Sequence, residues 1–385
     1  MCIRDRYKAS ILLCLIITLL GYSTETFSQV AEKEAISKAA NGLSLRGIGP
    51  ALMGGRIADI TVSPSHPSTW YVAAGSGNLW KTTNSGITWQ PVFDNQASYS
   101  IGTVSIDPNK PETVWVGTGE NVSGRHVGWG DGIYKSTNGG KTWQQMGLAK
   151  SEHIGKILID PNNSSVVLVA AEGPLWSSGG DRGVYKTEDG GTTWEQVLKI
   201  DENTGVTDLE FHPTDPNIVY AAAYQRRRKT WSLLAGGPKS GIYKSTDKGA
   251  TWRQVTMGLP KGDKGKIGLA VTPANPNLVY ATIEASNSEK GFYRSLDAGE
   301  SWEKRSSYTS GGTGPHYYQE IEASPQNPDL VYQMDVFFHV SRDGGKTFNY
   351  LGTGREKHSD NHALWIDPHN GNHLIAGSRR WSDSY

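Results

Sequence analysis

The chain has 385 residues with Lys+Arg and Asp+Glu at 38 each, so its formal net charge is zero. That balance supplies no basic excess for a nucleic-acid backbone, and nucleic acid is excluded as an expected partner. Gly at 46 and Trp at 13 are high, which points to a turn-rich chain with many large rings to bury.

At the start, Arg4, Arg6 and Lys8 precede an apolar run over residues 9–20, too short to span a bilayer. Residues 1–28 read as an export signal, with Thr26-Phe27-Ser28 as a small-x-small cleavage site, and residues 29–42 as a polar spacer. Both cysteines, Cys2 and Cys14, fall inside the signal, so the mature chain is expected to carry no disulfide and no membrane span. A secreted, periplasmic or surface-attached bacterial protein and a monomer are the matching expectations.

Residues 43–385 are organised by one octet that occurs six times: TTNSGITW ending at Trp89, STNGGKTW at Trp143, TEDGGTTW at Trp194, STDKGATW at Trp252, SLDAGESW at Trp302 and SRDGGKTF at Phe348. The third-place Asp or Asn can accept backbone N–H groups of a tight turn, and the fifth-place Gly can supply a positive φ. The closing aromatic then buries its ring between layers. A second signal alternates with the octets: seven Pro-containing turns, from residues 64–67 through 107–111 to 367–370. Short β-branched and aromatic runs lie between these turns. Four antiparallel strands per repeat, at spacings of 46 to 58 residues, specify an all-β fold, a β-propeller of six complete blades plus a partial seventh. A seventh octet is expected about fifty residues after Phe348, beyond Tyr385, so the last blade reads as truncated and the chain as the N-terminal part of a longer protein. Residues 43–48 are expected to supply that blade's outer strand.

The octet resembles the Asp-box (BNR) repeat of sialidases, sortilin-like (VPS10-type) receptors, photosystem II assembly-factor-like proteins and xyloglucanase-like glycoside hydrolases. The likeness runs from about Leu45 to Ser378 and is greatest to the last group and its sortilin-like bacterial relatives. It implies a propeller that binds polysaccharide or a protein partner, with a polysaccharide hydrolase and a sortilin-type receptor or assembly factor as alternatives. In the xyloglucanases the resemblance places a catalytic Asp on the second strand of blade one. The matching stretch here, Val72-Ala73-Ala74-Gly75-Ser76-Gly77-Asn78-Leu79-Trp80-Lys81, carries Gly75 at that place. A sialidase-type site would gather arginines, for which Arg56, Arg125 and Arg182 stand available, with Tyr317 or Tyr318 beside Glu320.

Octets and Pro turns share one face, so function is expected on the other, where the loops are long and varied. Blade two offers Glu120, Arg125, His126, Trp129 and Asp131; blade three Glu172, Trp176, Asp181 and Arg182; blade four Tyr224, an Arg226-Arg227-Arg228-Lys229 run read as a solvated loop, and Trp231; the entry to blade six His316, Tyr317 and Glu320. Exposed Trp and Tyr beside charged groups suit sugar rings, so Arg125, His126, Trp129, Trp176, Arg182, Tyr224, Trp231, His316 and Tyr317 are the ligand candidates. Glycoside hydrolysis needs two carboxylates, and Asp59, Glu120, Glu172 and Glu320 are the catalytic candidates, with Asp131 and Asp360 behind them. His358, Asp360 and His362 alternate on a strand entering blade seven, a spacing a metal could use. No fourth ligand accompanies them, so neither a metal nor another cofactor is expected.

Overall fold

A computed structural model describes residues 55–309, 317, 320–351, 359–378 and 383–384. The expected outer strand at residues 43–48 lies outside them. Six sheets of four consecutive antiparallel strands follow one another: blade one holds Ile57–Val62, Trp70–Ala74, Asn78–Thr82 and Gln90–Pro91, and blades two to six repeat that order. Blade four adds a fifth strand, Ser232–Ala235, paired to an unusually long second strand, Val219–Lys229. A seventh sheet has three strands, Asn361–Asp367, Asn370–Ser378 and Asp383–Ser384. First strands of blades one to six pack side by side in turn, that of blade seven packs on that of blade one, and blades six and seven meet through Tyr332, Val340, Leu364 and Ala376. The result is the propeller ring.

The apolar core is divided among the interfaces between blades. Seven buried clusters lie at the seven interfaces; Tyr71, Ala73 and Leu79 of blade one meet Ile101, Val104 and Val116 of blade two. The blade-seven interface with blade one is closed by Ala363 and Ile375 against Ile57, Ile60 and Val72. Each octet aromatic enters the interface with the preceding blade: Trp143 meets Phe93 edge-on at 5.1 Å and donates its indole N–H to Val92 O at 2.6 Å.

Hydrogen bonds make the octet a hinge-free corner. In all six, the first-place hydroxyl accepts the N–H of the fifth-place glycine at 2.8–3.0 Å. The third-place Asp or Asn accepts the seventh-place N–H at 2.8–2.9 Å. The fourth-place N–H donates to a carbonyl of the same blade's Pro turn at 2.8–2.9 Å, tying both turns together on one face. The fifth-place glycine has φ between 77° and 98°, as its position required. The fourth residue is also left-handed, with φ of 54–72°, although Ser85, Lys248 and Ala298 occupy it in three octets. Backbone bonding to the neighbouring turn outweighs the Cβ strain there.

Candidate functional site

The first strands turn polar side chains toward the axis. Aligned on the Pro turn that follows them, these positions read Asp59, Thr103, Lys156, Asp208, Gly268, Glu320 and Ala363, with Glu210 and Glu322 one layer closer to the octet face. Asp59 and Asp208 each sit at a β-bulge and bond backbone across to the next blade: Asp59 accepts Val104 N at 2.9 Å, and Asp208 accepts Leu269 N at 2.9 Å. Asp59 is therefore a strut between blades one and two. Lys156 stands among these acids, 3.5 Å from Glu210. Burial works against its charge, but Glu210, Asp208, Glu322 and Asp59 together hold it well above the usual lysine range. Burial raises the carboxyls in turn, Glu210 to about 7 and Glu322 to about 8, since four acids cannot all ionise around one ammonium. They line a cavity of about 70 Å³, room for a few waters and not for a sugar ring.

A strap closes this well on the long-loop side. The loop of blade two after Thr118 crosses the axis, with Val122 and Ser123 fully buried. Glu120 is gripped by Arg56, whose guanidinium also donates to the Tyr317 hydroxyl, and accepts Gly128 N at 3.0 Å. Lys266 of blade five donates to Asn121 O at 3.4 Å and pairs with Glu320 at 3.0 Å. From blade four, Arg226 reaches Val122 O and Ser123 Oγ, and Arg228 donates twice to Ser123 O at 3.1 and 2.7 Å. Gly124 lies under the Tyr317 ring, where a Cβ would come within 2.9 Å of Cε2. Beneath the strap Arg226 pairs with Glu172 at 2.8 Å, both about 1% exposed, and burial raises the Glu172 carboxyl. His153 donates its Nδ1–H to Glu120 O at 2.8 Å; burial and the charge of Arg226 lower its pKa to about 3, so it is neutral.

Several expectations change here. The Arg226–Lys229 run is strand, not solvated loop: the second strand of blade four continues to Lys229, and alternation turns Arg226 and Arg228 inward onto the strap. Tyr224 is 1% exposed on that same inward row. Arg182 is 2% exposed and spent on its own loop, donating to the carbonyls of Glu172, Pro174, Ser177 and Gly179. Neither presents a free group to solvent. Asp360 precedes the strand with φ of 66°, so strand alternation does not carry through it; His362 is buried with its ring 5.6 Å from Tyr317. His316 and His358 lie outside the described residues. Among the described residues no three His, Cys, Asp or Glu side chains are arranged to hold a metal ion. At Gly75 a Cβ would lie 3.0 Å from Glu120 Cγ and 3.3 Å from Arg56 Cγ, so the Arg56–Glu120 pair fills the space an acid would need.

What stays open is the outer arm of the strap. Arg125 and His126 are exposed, Trp129 is 72% exposed, and Tyr99 from the connection into blade two is 63% exposed. Tyr99, His126, Trp129 and Asp131 line a shallow cleft of about 340 Å³. Its floor is fixed: Gly130 N donates to Glu152 O at 2.7 Å, and Asp131 accepts the Tyr134 hydroxyl at 2.6 Å. Trp231, at 80% exposure, crowns the added hairpin of blade four, and Trp176, at 42%, stands on the loop of blade three. Tyr99 was missed in the sequence because it lies in a short blade connection rather than a long loop.

Comparison with known proteins agrees with this architecture. The Sortilin-Vps10 family (sortilin, neurotensin receptor 3) matches residues 131–261. The xyloglucanase Xgh74A of Acetivibrio thermocellus is 28% identical over 227 residues, 53% of this chain and 25% of that protein. A xyloglucanase of Hypocrea jecorina is 27% identical over 220 residues, 51% of this chain and 25% of its own. The chain thus spans about a quarter of the length of these curated relatives. Among solved structures, the GH74 xyloglucanase from Xanthomonas campestris superposes with a TM-score of 0.61 at 17% identity, over 88% of this chain and 52% of that one. YCF48 bound to D1 peptide superposes at 0.58 and 14% identity, over 87% and 94%. The chain resembles propellers of the glycoside-hydrolase and sortilin kinds. No described helix is long and apolar enough to cross a membrane.

Proposed function

We propose that this propeller is an exported polysaccharide-binding unit that holds a glycan on its long-loop face, as the N-terminal part of a larger glycoside-hydrolase-like protein. Residues 1–28 serve as the signal, 29–42 as spacer and 43–385 as a monomeric propeller. The observation that carries the reading is the Tyr99–Trp129 cleft, where two exposed rings stand on anchored backbone beside polar groups. Sugar rings offer apolar faces to such platforms and hydroxyls to the groups around them.

Binding rather than hydrolysis is the stronger reading for this piece. Asp59 braces two blades, and Glu120, Glu172 and Glu320 are each held by a cation in or beneath the strap. The similarity to the Sortilin-Vps10 family supports a protein partner on the same face as the second reading. Affinity electrophoresis through gels containing individual polysaccharides tests the first. Retardation by a glycan, abolished in Trp129→Ala, supports it; unchanged mobility in every polysaccharide gel removes it.

A further inference from the structure

On the long-loop face, Arg125 and Arg228 form no ion pair with a carboxylate among the described residues, although Asp131 lines the neighbouring cleft. Arg228 is only 7% exposed and spends its donors on the Ser123 carbonyl, a neutral partner. Burial lowers its pKa, the like charge of Arg125 lowers it further, and the Tyr224 phenol is the group that acts the other way. Arg125 is exposed on the strap's outer arm. By contrast, three cations around the strap have acids: Arg56 has Glu120, Arg226 has Glu172, and Lys266 has Glu320. Arg228 bonds the carbonyl two residues before Arg125, so both guanidiniums belong to one stretch of the strap, and an anion reaching Arg125 from solvent meets positive charge there.

The surroundings define the anion's carrier. Each of these guanidiniums has an exposed indole close by in the chain: Trp129 follows Arg125 by four residues on the strap, and Trp231 follows Arg228 by three at the tip of the blade-four hairpin, with Lys229 Nζ 5.7 Å from the Trp231 ring. His126 adds an exposed imidazole at the cleft. Exposed rings and guanidiniums on the strap and the blade-four hairpin suit a chain that carries both sugar faces and carboxylates. We infer that the glycan bound on this face is acidic, a polysaccharide bearing uronate carboxylates, with Arg125 as the accessible contact. This rests on the glycan-binding reading above and narrows its ligand class.

The test uses the full chain in affinity electrophoresis against polygalacturonate, the same polymer heavily methyl-esterified, dextran sulfate and xyloglucan. Retardation by polygalacturonate is expected, falling with added salt and lost on methyl esterification. Arg125→Ala should weaken it about tenfold, and Arg125→Lys should recover part of the loss. The side chain is exposed, so urea unfolding of Arg125→Ala should match the parent. Equal binding of esterified and free polymer, binding of xyloglucan alone, or binding of dextran sulfate alone would overturn the acidic-glycan inference while leaving glycan binding standing. Failure of all four polymers would overturn both.

Discussion

Replacing Lys156 with Met puts the axial well under the most informative stress. The ammonium stands amid Asp59, Asp208, Glu210 and Glu322, and removing one partner from a buried ionic group costs about 3–5 kcal/mol. Lys156 and Glu210 keep 30% and 19% of their side-chain surface toward the cavity, so confined water offsets part of that and roughly 2–4 kcal/mol is expected at pH 7. The pH dependence carries the sign. Glu210 and Glu322 rise from an ordinary value near 4.5 to about 7 and about 8, so the native state binds protons that the unfolded chain has released. Their contribution is fully present below pH 4.5 and is lost as pH climbs through 7 to 8. The parent should weaken across that window, and Lys156→Met should weaken more steeply, because its carboxyls lose the one cation that favours their ionisation. Urea unfolding of both proteins at pH 5, 6.5 and 8 reads this directly. A penalty for Lys156→Met that is the same at all three values would refute the reasoning.

The octets give two further expectations. Ala298→Gly relieves a left-handed residue at φ of 54° and should stabilise by about 0.5–1 kcal/mol in thermal or urea unfolding. Ser245→Ala leaves the buried Gly249 N–H without its 2.8 Å acceptor and should cost about 1–3 kcal/mol in the same assay. Arg226→Met strips the cation from buried Glu172 and two contacts from the strap, so limited proteolysis should cut within residues 120–128 well before it does in the parent.

Much of the architecture could be read because the octet is a local device whose donors, acceptors and glycine lie within eight residues. Ser245, Asp247, Gly249 and Thr251 close on one another whatever the rest of the chain does. The strap could not be read that way. It depends on Arg226 and Arg228 meeting Ser123 across more than a hundred residues, and four consecutive basic residues look solvated until the strand beneath them is seen to continue. The same extension took Tyr224 inside. Arg182 was misjudged for another reason: a guanidinium can satisfy itself on the carbonyls of its own loop, and no side-chain pattern marks that. Trp129, Trp176 and Trp231 proved exposed where they were expected, because loops beyond the sheet ends have no neighbouring blade to bury them.

Ligands are expected on the outer arm of the strap, at neither the axis nor the octet face. A crystal structure of the chain soaked with an oligogalacturonate decides between these places. It should show a sugar ring against the Trp129 indole and a carboxylate on Arg125. A saccharide seated on the octet turns, or in the axial well with the strap displaced, would contradict it.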